Sequence, residues 1–96
     1  MIATSEGMVL GEKLGIDPKI LTEILSVSTA NSASVRIYNP RPGNVATAPS
    51  SRDYNGGFKA ELIAKDMGLA LDASASVGLR ADFTKKGKAL FDDIER

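Results

Sequence analysis

A long stretch without periodicity, residues 39–57, is the feature that most limits how this chain can fold. It holds three of the four prolines and ends in Gly56-Gly57, so it favours neither a helix nor a strand. We therefore expect a long loop that separates two helical parts of the chain. A structureless loop of this length is uncommon in a small domain, so the segment is either functional or contains regular structure that its sequence does not reveal.

Helical spacing of apolar residues marks the segments on both sides of this loop. Asp17 and Pro18 are typical of an N-cap and a first helical position, and Gly15 is suited to end the helix before them. No part of the chain alternates between apolar and polar residues as a strand does, so the expected fold class is all-α. The predicted helices cover residues 2–14, 17–27, 32–38, 58–77 and 82–94.

Two features allow predictions about packing. Residues 58–77 are apolar nearly all round, which predicts a buried helix that carries Lys65 and Asp66 within it. Gly7 and Gly11 lie four residues apart in the first helix, where they either weaken the helix or pack closely against a neighbouring element. A core this small should leave apolar surface exposed on the monomer, which dimerisation or docking would cover.

Composition excludes several function classes. The 96 residues hold 12 basic and 12 acidic side chains, and this balance argues against a nucleic-acid partner. The absence of Cys and His excludes disulfides, thiol nucleophiles and imidazole acid–base chemistry, and we predict no metal site. The first residues do not resemble a signal or transit peptide. No apolar run approaches the ~18 residues of a membrane span, so no membrane partner is expected.

Several stretches of the chain resemble those of a known family. Residues 11–19 and 48–58 have its pattern, and together with two shorter strings they resemble the 3-hydroxyisobutyrate branch of the β-hydroxyacid dehydrogenase family. The resemblance extends, in order and at similar spacing, from residue 1 to about residue 77. The two shorter strings are Tyr38-Asn39-Pro40-Arg41-Pro42-Gly43 and Leu62-Ile63-Ala64-Lys65-Asp66-Met67-Gly68-Leu69-Ala70.

This resemblance implies that the chain is the C-terminal helical domain of a two-domain dehydrogenase, with the N-terminal Rossmann domain absent. The implied domain would be similar to that of 6-phosphogluconate dehydrogenase. Residues 1–77 would be a substrate and dimerisation domain, incomplete at its N-terminal end and forming a homo-oligomer, and residues 78–96 a diverged C-terminal helix or tail. The family's catalytic lysine would lie upstream of Met1, so we expect no catalytic residue in this chain and no activity from the chain alone.

The same resemblance implies the site residues. Lys65 would contact the cofactor, NAD, while Phe58 and Asp66 would border the substrate pocket, with Phe58 two helical turns before Asp66. From the residues alone, Lys65 could instead extend to solvent or pair with Asp66 or Asp72. Phe58 could equally be a core residue and Asp66 an ordinary helix carboxylate. Loop-fixing hydrogen bonds are expected from Tyr38, Asn39, Arg52, Asp53 and Tyr54.

The implied reaction is NAD-dependent oxidation of 3-hydroxyisobutyrate to methylmalonate semialdehyde, a step of valine catabolism. A non-catalytic helical dimerisation module is one alternative. Another is a related β-hydroxyacid dehydrogenase that acts on tartronate semialdehyde, glyoxylate or succinic semialdehyde. The resemblance implies the mitochondrial matrix for a eukaryotic protein and the cytoplasm for a bacterial one.

Overall fold

A computed structural model describes residues 1–94 of the chain, and its regular elements are all helices. The chain divides into two compact units, Met1–Gly57 and Phe58–Arg96. No helix of the described residues is long and apolar enough to cross a membrane. The α-helices are α1 (Ile2–Lys13), α2 (Pro18–Ser26), α3 (Ala33–Arg36), α4 (Ala60–Ser76) and α5 (Asp82–Ile94).

The connection between α1 and α2 follows directly from local sequence. Gly15 adopts a φ of +86° after the end of α1, which a residue without Cβ does at little cost. The Asp17 carboxylate accepts hydrogen bonds from the backbone N–H of Lys19 at 2.8 Å and of Ile20 at 3.3 Å. Pro18 begins α2, as expected. The predicted helical hairpin is therefore confirmed.

The first unit packs α1 against α2 and α2 against α3, around the buried side chains of Met8, Val35 and Ala48. Gly11 is buried, and a Cβ at this position would overlap Leu21 Cδ2. No atom lies within 4 Å of a Cβ placed on Gly7. The close-packing interpretation is therefore confirmed for Gly11 and wrong for Gly7.

The second unit consists of α4 packed against α5, with Ala64, Gly87 and Phe91 as its buried residues. Helix α4 begins at Ala60 because Lys59 is extended, with φ −68° and ψ 142°. The predicted start at residue 58 is therefore wrong by two residues. The prediction of a buried helix is also wrong for this chain, because α5 covers one side of α4 and Ala64 is the buried residue of α4.

Candidate functional site

Lys65 lies in the second turn of α4 and its side chain is 60% exposed. Its Nζ is 3.0 Å from Oδ1 of Asp66, whose side chain is also more than half exposed. The prediction that these two residues lie within a buried helix is wrong, since the two-helix unit leaves this side of α4 uncovered. Of the partners considered from the sequence, Asp66 is the one with which Lys65 forms an ion pair.

Phe58 does not lie on α4, because the helix begins two residues later. The expected position two helical turns before Asp66 is therefore wrong, since helical spacing does not apply to an extended segment. Phe58 is 64% exposed, so it is not a core residue of this unit. The structure thus brings Lys65 and Asp66 together and places Phe58 in the segment that leads into their helix.

Two leucines that we did not single out from the sequence share the Lys65 side of α4. Leu62 lies three residues before Lys65 and Leu69 four residues after it, which are the spacings of neighbours on a helix surface. Both are exposed. The i−3 and i+4 spacing could have shown that both leucines share this side of the helix with Lys65, although it could not have shown their exposure.

The loop of the first unit is held by side-chain hydrogen bonds. Asn39 is fully buried. Its side-chain amide donates to the backbone carbonyl of Val35 at 3.0 Å, and its backbone carbonyl accepts from Ser50 Oγ at 2.6 Å. The Tyr54 hydroxyl donates to the carbonyl of Pro40 at 3.1 Å. The guanidinium of Arg52 donates to three loop carbonyls, those of Thr47, Asn55 and Gly56.

A groove of about 420 Å³ lies between α1 and this loop in the first unit. Glu12 and Arg41 form a two-pronged ion pair at the groove, with both N···O distances 2.9 Å. The hydrogen bond and the charge of Glu12 raise the pKa of the Arg41 guanidinium above its ordinary value. None of the predicted site residues lines this groove, whose lining is Ser5, Met8, Val9, Glu12, Pro40, Arg41, Pro42 and Tyr54.

Within residues 1–94, no group of three or more His, Cys, Asp or Glu side chains is arranged to hold a metal ion. The polar chemistry of the predicted site is therefore that of one ammonium group and one carboxylate in contact.

The chain matches one family model over residues 1–96, and that model is described as the NAD-binding part of NADP-dependent 3-hydroxyisobutyrate dehydrogenase. A probable mitochondrial 3-hydroxyisobutyrate dehydrogenase of Arabidopsis thaliana is 43% identical over 91 residues, which are 95% of this chain and 26% of that protein. The NAD-dependent L-serine dehydrogenase of Pseudomonas aeruginosa is 49% identical over 74 residues, or 77% of this chain and 25% of that protein.

Among solved structures, the chain is similar to 3-hydroxyisobutyrate dehydrogenase of Mycobacterium tuberculosis with L-serine. The TM-score is 0.92 at 35% sequence identity, and the match covers 97% of this chain and 32% of that one. The chain therefore spans about a quarter of the length of these curated relatives and a third of the solved one.

The family model corrects the fold class expected from the sequence. We expected the C-terminal helical domain of a two-domain dehydrogenase, with its NAD-binding domain absent, and this is wrong. The model that covers residues 1–96 is described as NAD-binding, and residues 1–94 are helical without a strand. Helical periodicity identifies the elements of a segment, but it does not reveal which ligand the segment binds. The expected cofactor, NAD, is confirmed.

Proposed function

Because the chain belongs to the 3-hydroxyisobutyrate dehydrogenase family, we propose that it contributes the cofactor contact of an NAD-dependent dehydrogenase that oxidises a small 3-hydroxy acid. The observation that carries this proposal is Lys65, an exposed ammonium group on α4 of a domain described as NAD-binding. Phosphate and ribose oxygens are the groups of a dinucleotide that such a donor binds.

The chemistry of the donors at this site fits that cofactor. An ammonium group has three N–H donors, and the Lys65 side chain remains more than half exposed while it is paired with Asp66. Leu62 and Leu69, on either side of Lys65, offer apolar surface to the sugar or ring of a nucleotide. When bound, NAD supplies the hydride acceptor of the reaction.

For the substrate, we favour 3-hydroxyisobutyrate, which the dehydrogenase would oxidise to methylmalonate semialdehyde in valine catabolism. Phe58 and Asp66 are the residues of this chain that we assign to its pocket. The exposed Phe58 ring would contact the substrate's methyl group, and the Asp66 carboxylate would accept a hydrogen bond from a substrate hydroxyl. We assign the proton-abstracting base to no residue of this chain.

L-Serine is the second candidate substrate, since a relative at 49% identity is named an NAD-dependent L-serine dehydrogenase and the similar solved enzyme contains L-serine. Both candidates are 3-hydroxy acids and differ at the carbon between the carboxylate and the CH₂OH group, which bears a methyl group in one and an ammonium group in the other. The Asp66 carboxylate would favour the ammonium group, and the Phe58 ring the methyl group.

We further propose that the protein forms a homo-oligomer, and we propose its domain limits and its compartment. Exposed apolar side chains in both units, such as Val27 and Phe83, support a homo-oligomer. We retain residues 1–77 as the family domain and 78–96 as its diverged tail. The animal, plant and slime-mould relatives are named mitochondrial, which supports the mitochondrial matrix if this protein is eukaryotic. A bacterial source would favour the cytoplasm.

A chimeric enzyme tests the substrate. Residues of this chain would replace the matching segment of the Pseudomonas aeruginosa L-serine dehydrogenase, and kcat/KM would be measured with NAD for L-serine and for 3-hydroxyisobutyrate. We expect the chimera to prefer 3-hydroxyisobutyrate more strongly than the parent enzyme does. Replacing Lys65 by Gln in the chimera should raise the KM for NAD. An active chimera in which Lys65→Gln leaves that KM unchanged would contradict the assignment of Lys65.

A further inference from the structure

The ion pair between Lys65 and Asp66 is unusual for two neighbours in a helix. Consecutive residues point about 100° apart, so their side chains do not normally face each other. Here the long lysine side chain bends across to bring its Nζ within 3.0 Å of Asp66 Oδ1. Both side chains are more than half exposed, so water screens the pair and an ion pair of this kind is weak.

The other charges along this side of α4 increase the importance of that pair. Glu61, one turn before Lys65, is paired with Lys59 at 3.7 Å. Asp72 lies two turns after Lys65 on the same side of the helix. Carboxylates thus outnumber ammonium groups three to two between residues 59 and 72, so this stretch of the chain carries a net negative charge.

We propose that Asp66 is the resting counter-ion of Lys65, and that the anionic part of NAD displaces it on binding. This inference rests on the proposed cofactor contact of Lys65. The Nζ cannot keep its full interaction with Asp66 while it turns towards the pyrophosphate or ribose of the cofactor. Asp66 therefore competes with the cofactor and lowers its affinity, and the carboxylate released by the exchange becomes free to accept a hydrogen bond from the substrate.

The exposure of the Lys65–Asp66 pair limits how strongly Asp66 can compete with NAD. Exposed ion pairs are weak, so NAD should bind about 1.5 to 5 times more tightly when Asp66 no longer competes for Lys65. Asp66→Asn should therefore lower the Kd for NAD by this factor. The gain should shrink as salt is added, because the competition is electrostatic and takes place in water.

The experiment is a titration of the 15N-labelled 96-residue chain with NAD, followed by the NMR shifts of the Lys65 and Asp66 amides up to the solubility limit of NAD. We would compare the wild type with Lys65→Gln, Asp66→Asn and the double variant. Asp72→Asn is the matched control, because it removes the same charge from the same side of the same helix. Dispersed amide signals would show that each variant is folded.

We expect Asp66→Asn to tighten binding, Asp72→Asn to have a smaller effect, and Asp66→Asn to do nothing once Lys65 is Gln. If Lys65→Gln binds NAD as the wild type does, or if the wild type shows no shift at Lys65, the proposed cofactor contact fails and the inference with it. If Lys65→Gln weakens binding but Asp66→Asn does not tighten it, the contact stands and the exchange is refuted. Equal tightening by Asp72→Asn also refutes the exchange.

Discussion

The contrast between Gly7 and Gly11 allows the same substitution to be tested in two environments of one helix. In each position Ala should gain about 1 kcal/mol of helix propensity over Gly. At Gly7 the added Cβ meets no atom within 4 Å, so Gly7→Ala should stabilise the chain by about this amount. At the buried Gly11 the Cβ would overlap Leu21 Cδ2, so the end of this half-buried leucine side chain must shift, which costs about 1 kcal/mol.

Because the propensity gain is common to both variants, the difference between their free energies of unfolding isolates the packing cost. We expect Gly11→Ala to be less stable than Gly7→Ala by about 1 kcal/mol, the cost of shifting the Leu21 side chain. Urea denaturation followed by far-UV circular dichroism measures both values, with a check that the m-values agree.

A coupled variant tests the cause of that difference. Leu21→Ala removes the atom that the new Cβ would meet, so Gly11→Ala should cost less in the Leu21→Ala background than in the wild type. The overlap argument would be refuted if Gly11→Ala were as stable as Gly7→Ala. It would also be refuted if Leu21→Ala left the cost of Gly11→Ala unchanged.

Substitutions at three further positions test the capping, buried hydrogen bonding and packing described above, two of them with a control variant. Asp17→Ala removes the N-cap acceptor of α2 and should cost about 1 kcal/mol by urea denaturation, whereas Asp17→Asn should retain most of the capping. Asn39→Ala leaves the buried carbonyl of Val35 without its donor and should cost about 1–3 kcal/mol; an unchanged melting temperature would contradict this. Phe91→Ala should destabilise the second unit by about 3 kcal/mol, because Phe91 is buried. Phe83 is 93% exposed, so Phe83→Ala should cost about 0.5 kcal/mol or less.

Local sequence was most informative where the interaction itself is local. Asp17 and Pro18 predicted the start of α2, because an N-cap carboxylate bonds backbone groups two and three residues away. Gly15 predicted the end of α1, because a positive φ is a property of one residue. The start of α4 was missed by two residues, since Lys59 is extended and no capping side chain precedes the helix to reveal it.

The candidate site could be predicted only in part. Its family was recognisable from the loop strings and from Lys65-Asp66, and NAD followed from that family. The role of the domain was not recognisable, because helical periodicity is the same in a domain that binds a dinucleotide and in one that does not. Leu62 and Leu69 were missed because an exposed leucine cannot be distinguished from a buried one by its spacing alone.

The sequence by itself thus determined the helices, their hairpin and the family, because capping, turn conformation and periodicity depend on residues close together in the chain. Only the tertiary structure decided which surfaces are covered. It buried Gly11 and left Gly7 open, and it left the Lys65 side of α4 uncovered although the composition of the helix predicted burial. The physical reason is that burial depends on which elements pack against a face, and that packing joins residues far apart in the chain.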